Sequence, residues 1–290
     1  MACLFLAPAL VVLGLFTFYP VACGVALACF DFNLLRHTPQ GDLVPPRFVG
    51  LANFGRLIRD PYVGIALKNS LLYLLVVPAL QMAAVLLAVL VNRPRPGIQW
   101  FRAAYYVPVV TSVVIVGIAW KWVLRSDGLA NWLLGQVGLP PLPWLSDPRL
   151  ALFSVMLVTF WQGVGYYMVL YLGGLQSIDP EYEEAARLDG AGFWQVFTAI
   201  TLPLLRPTLA LCTILSCISA LKVFGEIYVM TGGGPQNGTL TLGYYIYQKA
   251  FESYEMGYAA ALSLVLALVV ALFSWLAVRY FREGGISSYY

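Results

Sequence analysis

The chain has 290 residues, of which 60% are hydrophobic and 11% charged, with a mean hydropathy of +0.78 and a formal charge of +3. That balance excludes an ordinary soluble domain, and so small a positive charge does not suggest a nucleic-acid surface. The chain belongs in a lipid bilayer.

Crossing a hydrocarbon core of about 30 Å takes about 20 apolar residues in a helix. Six stretches of that kind follow one another, at residues 4–30, 71–91, 103–124, 150–173, 205–230 and 256–280. They predict an all-α polytopic membrane protein with six transmembrane helices in a single domain over residues 1–290. The first stretch is too long for a signal-peptide core and has no basic residues before it, so it reads as a span. Cys3, Cys23, Cys29, Cys212 and Cys217 lie inside apolar runs without metal-ligand spacing and read as small core hydrophobes.

Between the first two spans, Leu51, Phe54, Leu57 and Ile58 fall on one side of a short helix that Pro61 would stop. The segment suits either the membrane interface or a half-buried connector. His37 sits in a polar loop and reads as a surface residue. After the third span, a stretch rich in glycine and proline carries Trp132 and Trp144, which suit a headgroup-level belt. Counting basic residues does not orient the chain: Arg93, Arg95 and Arg102 favour one side, while Arg36, Arg47, Arg56 and Arg59 weigh on the other.

After the fourth span comes EYEEAARLDGAGFWQVFTAITLPLLRP, Glu181 to Pro207. Asp179 can cap a helix that has Pro180 at its first position, and Glu181, Glu183 and Glu184 then meet the positive end of the helix dipole. A helix to about Asp189 aligns Tyr182, Ala185, Ala186 and Asp189 on a nearly flat face. Gly190 can end it in a left-handed conformation, and a second helix follows with Phe193, Val196, Phe197 and Ile200 as its apolar stripe. Such a piece is either a solvated connector or a rod that fits a partner's groove, its carboxylates suiting basic residues on the rim.

Within the fifth span, Lys222 and Glu226 are opposite charges four residues apart. They predict either a pair that neutralises itself on one helix face or, with Ser219, the lining of a water-filled cavity. TGGGPQNGT, Thr231 to Thr239, predicts a flexible loop with exposed backbone donors.

EAARLDGAGFWQVFTAITLPLLRP resembles the EAA loop of ABC importer permeases, with Glu184, Ala185, Ala186, Asp189, Gly190, Ala191, Ile200, Leu202 and Pro203 at the motif's positions. GLANFGRLIRDP, NSLLYLLVVPALQ, VNRPRPGIQWFRAAYYVPVVTSVVIVGIAWKWVL and YVMTGGGPQNGT are similar to successive blocks of carbohydrate-importer permeases of the maltose and glycerol-phosphate type. The resemblance covers nearly the whole chain. It implies the type I ABC importer permease fold in a bacterial or archaeal cytoplasmic (inner) membrane, with a cytoplasmic coupling loop over residues 179–203. Within that loop, it implies ATPase coupling through Glu184, Ala185, Ala186, Asp189, Gly190, Leu202 and Pro203.

The resemblance further implies a substrate pathway lined by Thr159, Gln162, Tyr166, Ser219, Lys222 and Glu226. It implies contact with a solute-binding protein through Gly232, Gly233, Gly234, Pro235, Gln236 and Asn237. The partners it implies are a second homologous permease subunit, a cytoplasmic ATPase dimer, an extracellular or periplasmic solute-binding protein and a sugar-type substrate. No cofactor is expected on the chain itself, ATP and Mg being used by the ATPase. The start of the chain lacks the basic tail usual in that family, which points to an earlier natural start.

The chain has no Gly-x-x-x-x-Gly-Lys-Ser/Thr loop and no cluster of histidine or carboxylates in its spans, which predicts a non-catalytic permease subunit without a metal. The alternative is an ion-coupled secondary carrier, which would show inverted repeats and broken mid-membrane helices; neither is evident in the sequence.

Overall fold

The fold is taken from a computed structural model that describes residues 2–36, 44–92 and 96–283; His37, Arg93 and Arg95 lie outside them. α1 contains the first span (Leu6–Leu27) and is followed by a short antiparallel pair, β1 (Phe30–Asp31) with β2 (Arg47–Phe48). α2 (Ala52–Arg59) leads into α3 (Pro61–Asn92), and the third crossing is split into α4 (Ile98–Val110) and α5 (Val113–Val123). A short α6 (Leu129–Gln136) precedes α7 (Ala151–Gln176), the acidic α8 (Pro180–Leu188) and its brace α9 (Phe193–Leu204). The fifth crossing is α10 (Arg206–Leu221) with α11 (Gly225–Met230), after which α12 (Leu242–Tyr247) leads to α13 (Met256–Glu283).

The second crossing starts at Pro61 and not near residue 71, because Asp60 accepts the amide of Tyr62 at 2.9 Å and Pro61 occupies the first helical position. Pro61 therefore opens a helix as well as ending the one before it. Two polar residues of this added stretch are bonded to distant groups. Asn69 Nδ2 donates to the carbonyls of Asn237 (3.1 Å) and Leu240 (3.0 Å), and Ser70 Oγ accepts the amide of Leu242 at 2.9 Å. In α2, the expected apolar side is divided: Leu57 is buried, whereas Leu51 and Ile58 are exposed, and the inward position is shared by Asn53, which bonds the carbonyls of Ala28 and Phe30.

The expectation of an unbroken third span over 103–124 is overturned. α4 and α5 meet at 99°. Pro108 has no N–H to give the carbonyl one turn back, and Ser112 turns extended and caps α5 by accepting the amide of Val114 at 3.3 Å. Lipid offers no water for the carbonyls such a break frees, so the protein must supply donors. Thr111 Oγ1 donates to the Val107 carbonyl at 2.9 Å, and Gln162 Nε2, reaching across from α7, donates to the carbonyls of Pro108 and Thr111, both at 3.2 Å. Arg102 at the start of α4 donates to the Val91 carbonyl at the end of α3 (2.6 Å), while Pro148, just before α7, lies against Gly238 beyond α11. The bent pair thus makes one crossing between the two ends of the bundle.

The interior lies between α3, α7 and α10. Gln81 of α3 is buried at its centre, accepts a hydrogen bond from the Tyr171 hydroxyl of α7 and donates to Ser216 Oγ (2.7 Å) and the Cys212 carbonyl (3.2 Å) of α10. Hydrophobic burial does not drive helices together in lipid, so close packing and bonds of this kind must do it. Close packing is sharpest at Gly165 of α7, where a Cβ would fall 1.8 Å from the Tyr105 carbonyl oxygen of α4. α1 is peripheral: its apolar window is 0% buried, against 50% for α7.

At the far end from α8, Asn131 accepts from the Leu142 amide and from Trp144 Nε1, both at 2.9 Å, and donates to the Leu142 carbonyl at 3.0 Å. Trp144 is therefore part of a knot that closes this connection, while Trp132 remains exposed. At the same end, Asp60 accepts hydrogen bonds from the hydroxyls of Tyr245 (2.5 Å) and Tyr258 (2.6 Å), joining α3, α12 and α13. Burial pushes its carboxyl up, but the two hydroxyls, the Tyr62 amide and the charge of Lys249 together outweigh this and hold it below the usual aspartate value.

Two outcomes follow from this packing. Gly165→Ala forces α4 and α7 apart and lowers stability by about 1–3 kcal/mol, read as a fall in unfolding temperature of the purified protein; an unchanged temperature would refute the close approach. Because the folded pKa of Asp60 is depressed, its contribution is present above the ordinary aspartate pKa and is lost as pH falls through the lowered folded value. Asp60→Asn removes that acid-side dependence, and a pH series of unfolding temperatures that superimposes on wild type would contradict it.

Candidate functional site

The helix of the fifth crossing stops at Leu221 and restarts at Gly225, with Phe224 in a non-helical conformation (φ −143°, ψ −55°). The break is satisfied from outside, since Thr241 Oγ1 donates to the Val223 carbonyl at 3.2 Å. Of the two readings open for Lys222 and Glu226, pairing on one helix face is not what forms: among the described residues the two make no ion pair, because the turn that would align them is unwound. Both instead face a cleft of about 620 Å³ bounded by α3, the α4–α5 bend, α7 and the fifth crossing.

All six residues nominated for a substrate pathway line this one cleft: Thr159, Gln162 and Tyr166 from α7, and Ser219, Lys222 and Glu226 from the opposite wall. Tyr166, Ser219 and Lys222 are exposed, so the cleft lies open along one side of the chain. Their duties differ. Thr159 shares a hydrogen bond of 2.5 Å with the Tyr73 hydroxyl, and both amide contacts of Gln162 go to the α4–α5 bend. Those two hold the wall in shape, while the ammonium, carboxylate, serine hydroxyl and Tyr166 ring are offered to the opening. Tyr73 and Phe224 also line the cleft and were missed in the sequence. A local signal for the bend exists in Pro108, which cannot donate to the preceding turn, followed by Ser112 as a helix cap, but nothing local marks Tyr73 as facing the same space.

The acidic segment is built as its residues dictate. Asp179 accepts the Glu181 amide at 3.0 Å, α8 runs to Leu188, and Gly190 takes φ +85°, which lets the Ala191 amide return to the Ala186 carbonyl at 3.0 Å. Gly192 begins α9 with its amide on Gln195 Oε1 (2.8 Å). Glu183 is not free for a partner: it pairs with Arg187 at 3.1 Å and accepts from Thr201 Oγ1 at 3.1 Å, bracing α8 on α9. Glu181, Glu184, Ala185 and Asp189 stay exposed. Between the two helices lies a groove of about 490 Å³, lined by Ala186, Asp189, Gly190 and Ile200 among others. Leu202 and Pro203 do not share it; they line a second hollow with Arg206, Tyr280 and Phe281, against the end of α13. Of the seven residues nominated for coupling, Ala186, Asp189 and Gly190 therefore line the groove, Leu202 and Pro203 line the second hollow, and Glu184 and Ala185 lie exposed on α8.

The glycine-rich loop is the clearest departure from expectation. Predicted as flexible, it is knitted together: the amides of Gly234, Gly238 and Thr239 bond the carbonyls of Thr231, Pro235 and Gly233, and Thr239 Oγ1 bonds Thr231 Oγ1 at 2.7 Å. Gly233 and Thr239 are buried, and Asn237 presents its carbonyl to Asn69. Of the six nominated contact residues, Gly232 and Gln236 are the exposed ones, with Gly234, Pro235 and Asn237 half-buried. Small residues here allow close packing, where the sequence suggested only freedom.

Residues 81–282 match the family described as binding-protein-dependent transport system inner membrane component. The chain is 36% identical over 289 residues to the lactose transport system permease protein LacF of Rhizobium radiobacter, covering 97% of this chain and 93% of that protein. It is 31% identical over 285 residues to the arabinooligosaccharides transport system permease protein AraP of Bacillus subtilis (strain 168), covering 95% and 87%. Among solved structures, the fold is similar to a chain of a bacterial alginate ABC transporter in complex with an alginate pentasaccharide-bound periplasmic protein, with TM-score 0.81, 23% identity and coverage of 96% and 93%. With its six crossings, its intramembrane cleft and its acidic loop, the chain belongs to the binding-protein-dependent transport system inner membrane components, the multi-pass permease subunits of ABC importers.

Proposed function

We propose that the chain is one half of the translocation pathway of a sugar importer, completed by a second homologous permease and driven by a separate cytoplasmic ATPase dimer. The observation that carries the reading is the cleft: six residues from two crossings converge on one space that stays open along the side of the chain. A hydroxyl, an ammonium, a carboxylate and an aromatic ring suit a polyhydroxylated ring that hydrogen-bonds at its edge and stacks on its face. The relatives named for lactose and arabinooligosaccharides support a saccharide as the solute. The open side supports a second subunit as the missing wall.

In this reading the chain hydrolyses no ATP and holds no cofactor, in keeping with a sequence that lacks a phosphate-binding loop. Exposed Glu184, Ala185 and Asp189 on α8 seat in a cleft of the ATPase, and the Glu183–Arg187–Thr201 brace carries its movement through α9 into α10. The pathway then alternates between two states biased by nucleotide, with α8 on the cytoplasmic side. The glycine-rich loop, at the opposite end, meets the solute-loaded binding protein through Gly232 and Gln236. Broken helices, which the carrier alternative would require, are present in the third and fifth crossings and so do not separate the two readings. The energy source does.

Vesicles reconstituted with the whole transporter take up labelled lactose or arabinotriose only with binding protein and internal ATP; uptake driven by an ion gradient without ATP would sink the proposal. Gly190→Pro, which cannot adopt a positive φ, cuts uptake at least about tenfold, roughly 1.4 kcal/mol of coupling, while ATP hydrolysis persists. Retained uptake in that variant would count against α8 as the coupling element. Lys222→Ala and Glu226→Gln each slow uptake about tenfold, on the scale of a lost charged hydrogen bond, without loss of subunit assembly. Unimpaired uptake in both would remove them from the pathway.

A further inference from the structure

Five aromatic rings at the end of the bundle opposite α8 touch one another in sequence and end on the wall of the cleft. Phe224 lines the cleft, and its ring centroid lies 5.1 Å from Tyr247, which lies 5.4 Å from Phe251. Tyr228 sits 5.5 Å from Phe224 and 5.1 Å from Tyr247, and the buried Tyr244 backs the group, stacked 6.4 Å from Phe224. The outer members are open: Phe251 is 60% exposed and Tyr228 48%. The five rings form one connected surface that starts on the exposed α12–α13 connection and stops inside the cleft. The glycine-rich loop lies beside its inner side, with Gly233 against the Tyr244 ring.

We propose that Phe251, Tyr247, Tyr228 and Phe224 form a stacking track on which successive rings of an oligosaccharide are handed from the outer end of the protein into the cleft, an inference that rests on the saccharide reading above. The C–H faces of sugar rings pack on aromatic faces, and each such contact is weak and tolerant of which sugar it meets. A pathway needs that property, since a solute must bind well enough to enter and loosely enough to leave, over several sites in series. Neighbouring rings at 5.1 and 5.4 Å give overlapping contacts, so that one sugar ring can engage the next aromatic before leaving the last. A linear oligosaccharide spans more than one of them at once and gains most.

The test uses the intact transporter, with both permeases and the ATPase, in lipid nanodiscs without binding protein. Aromatic protons are saturated, and transfer to added arabinotriose and lactose is observed by NMR. Wild type transfers magnetisation to both, more strongly to the trisaccharide. The variant Tyr247→Leu with Phe251→Leu, which keeps apolar bulk but loses the ring faces, reduces transfer to arabinotriose at least about fivefold, the size of one stacking contact, whereas Phe251→Trp retains it. All variants co-purify with the second permease.

Equal transfer in the leucine variant overturns the track. Loss of the co-purified permease in that variant also overturns it and assigns the rings to the subunit interface instead. Vesicle uptake of the same sugars separates this from the reading beneath it: if wild type carries them and the leucine variant carries them equally well, only the track fails. If wild type carries neither, the saccharide reading fails and takes the track with it.

Discussion

The bilayer gives no water to an unpaired backbone group, and most of what is specific in this protein follows from how it meets that demand. Two of its crossings are broken, at Thr111–Ser112 and at Lys222–Phe224, and each break is closed by a side chain from elsewhere. Gln162 of α7 bonds the carbonyls of the first, and Thr241 beyond α11 bonds the Val223 carbonyl of the second. The cleft lies between these two breaks. The irregular backbone that would be untenable against lipid is the backbone that shapes the wall of the cleft.

The rest of the bundle holds those breaks in register. Gln81, Tyr171 and Ser216 tie α3, α7 and α10 together at their centre, and the bare face of Gly165 lets α4 come close enough for Gln162 to reach its bend. A second set of polar ties gathers the end opposite α8, with Asp60 between Tyr245 and Tyr258, Arg56 on Glu255 at 2.5 Å, and Asn69 on the glycine-rich loop. The bundle is thus joined by directional bonds, which suits the rigid transmission that the proposed coupling at α8 requires better than a greasy packing alone.

Some elements were legible because their signals are local. Asp179–Pro180 announces α8, and Gly190 its end, since cap geometry and positive φ depend on one or two residues. The same Asp–Pro signal stands at Asp60–Pro61, where the sequence reading makes Pro61 the stop of the preceding helix and begins the next span only after Lys68, Asn69 and Ser70. Asn69 and Ser70 are bound to the segment around Asn237–Leu242, more than 160 residues away, which no window of sequence reveals. The glycine-rich loop failed for a related reason: glycine and threonine describe freedom when alone, and close packing once Tyr244 and Asn69 lie against them.

The sequence by itself determined the solvent of this protein, the number of its crossings and the acidic rod between the fourth and fifth. Those depend on composition, periodicity and caps, all short-range. Only the tertiary structure decided that Lys222 and Glu226 share one cleft without pairing with each other among the described residues, that Gln162 serves the bend of another crossing, and that Leu202 and Pro203 face a different hollow from Gly190. Each depends on where a helix stops and what crosses to meet it, and in a bilayer that is set by distant donors finding freed carbonyls.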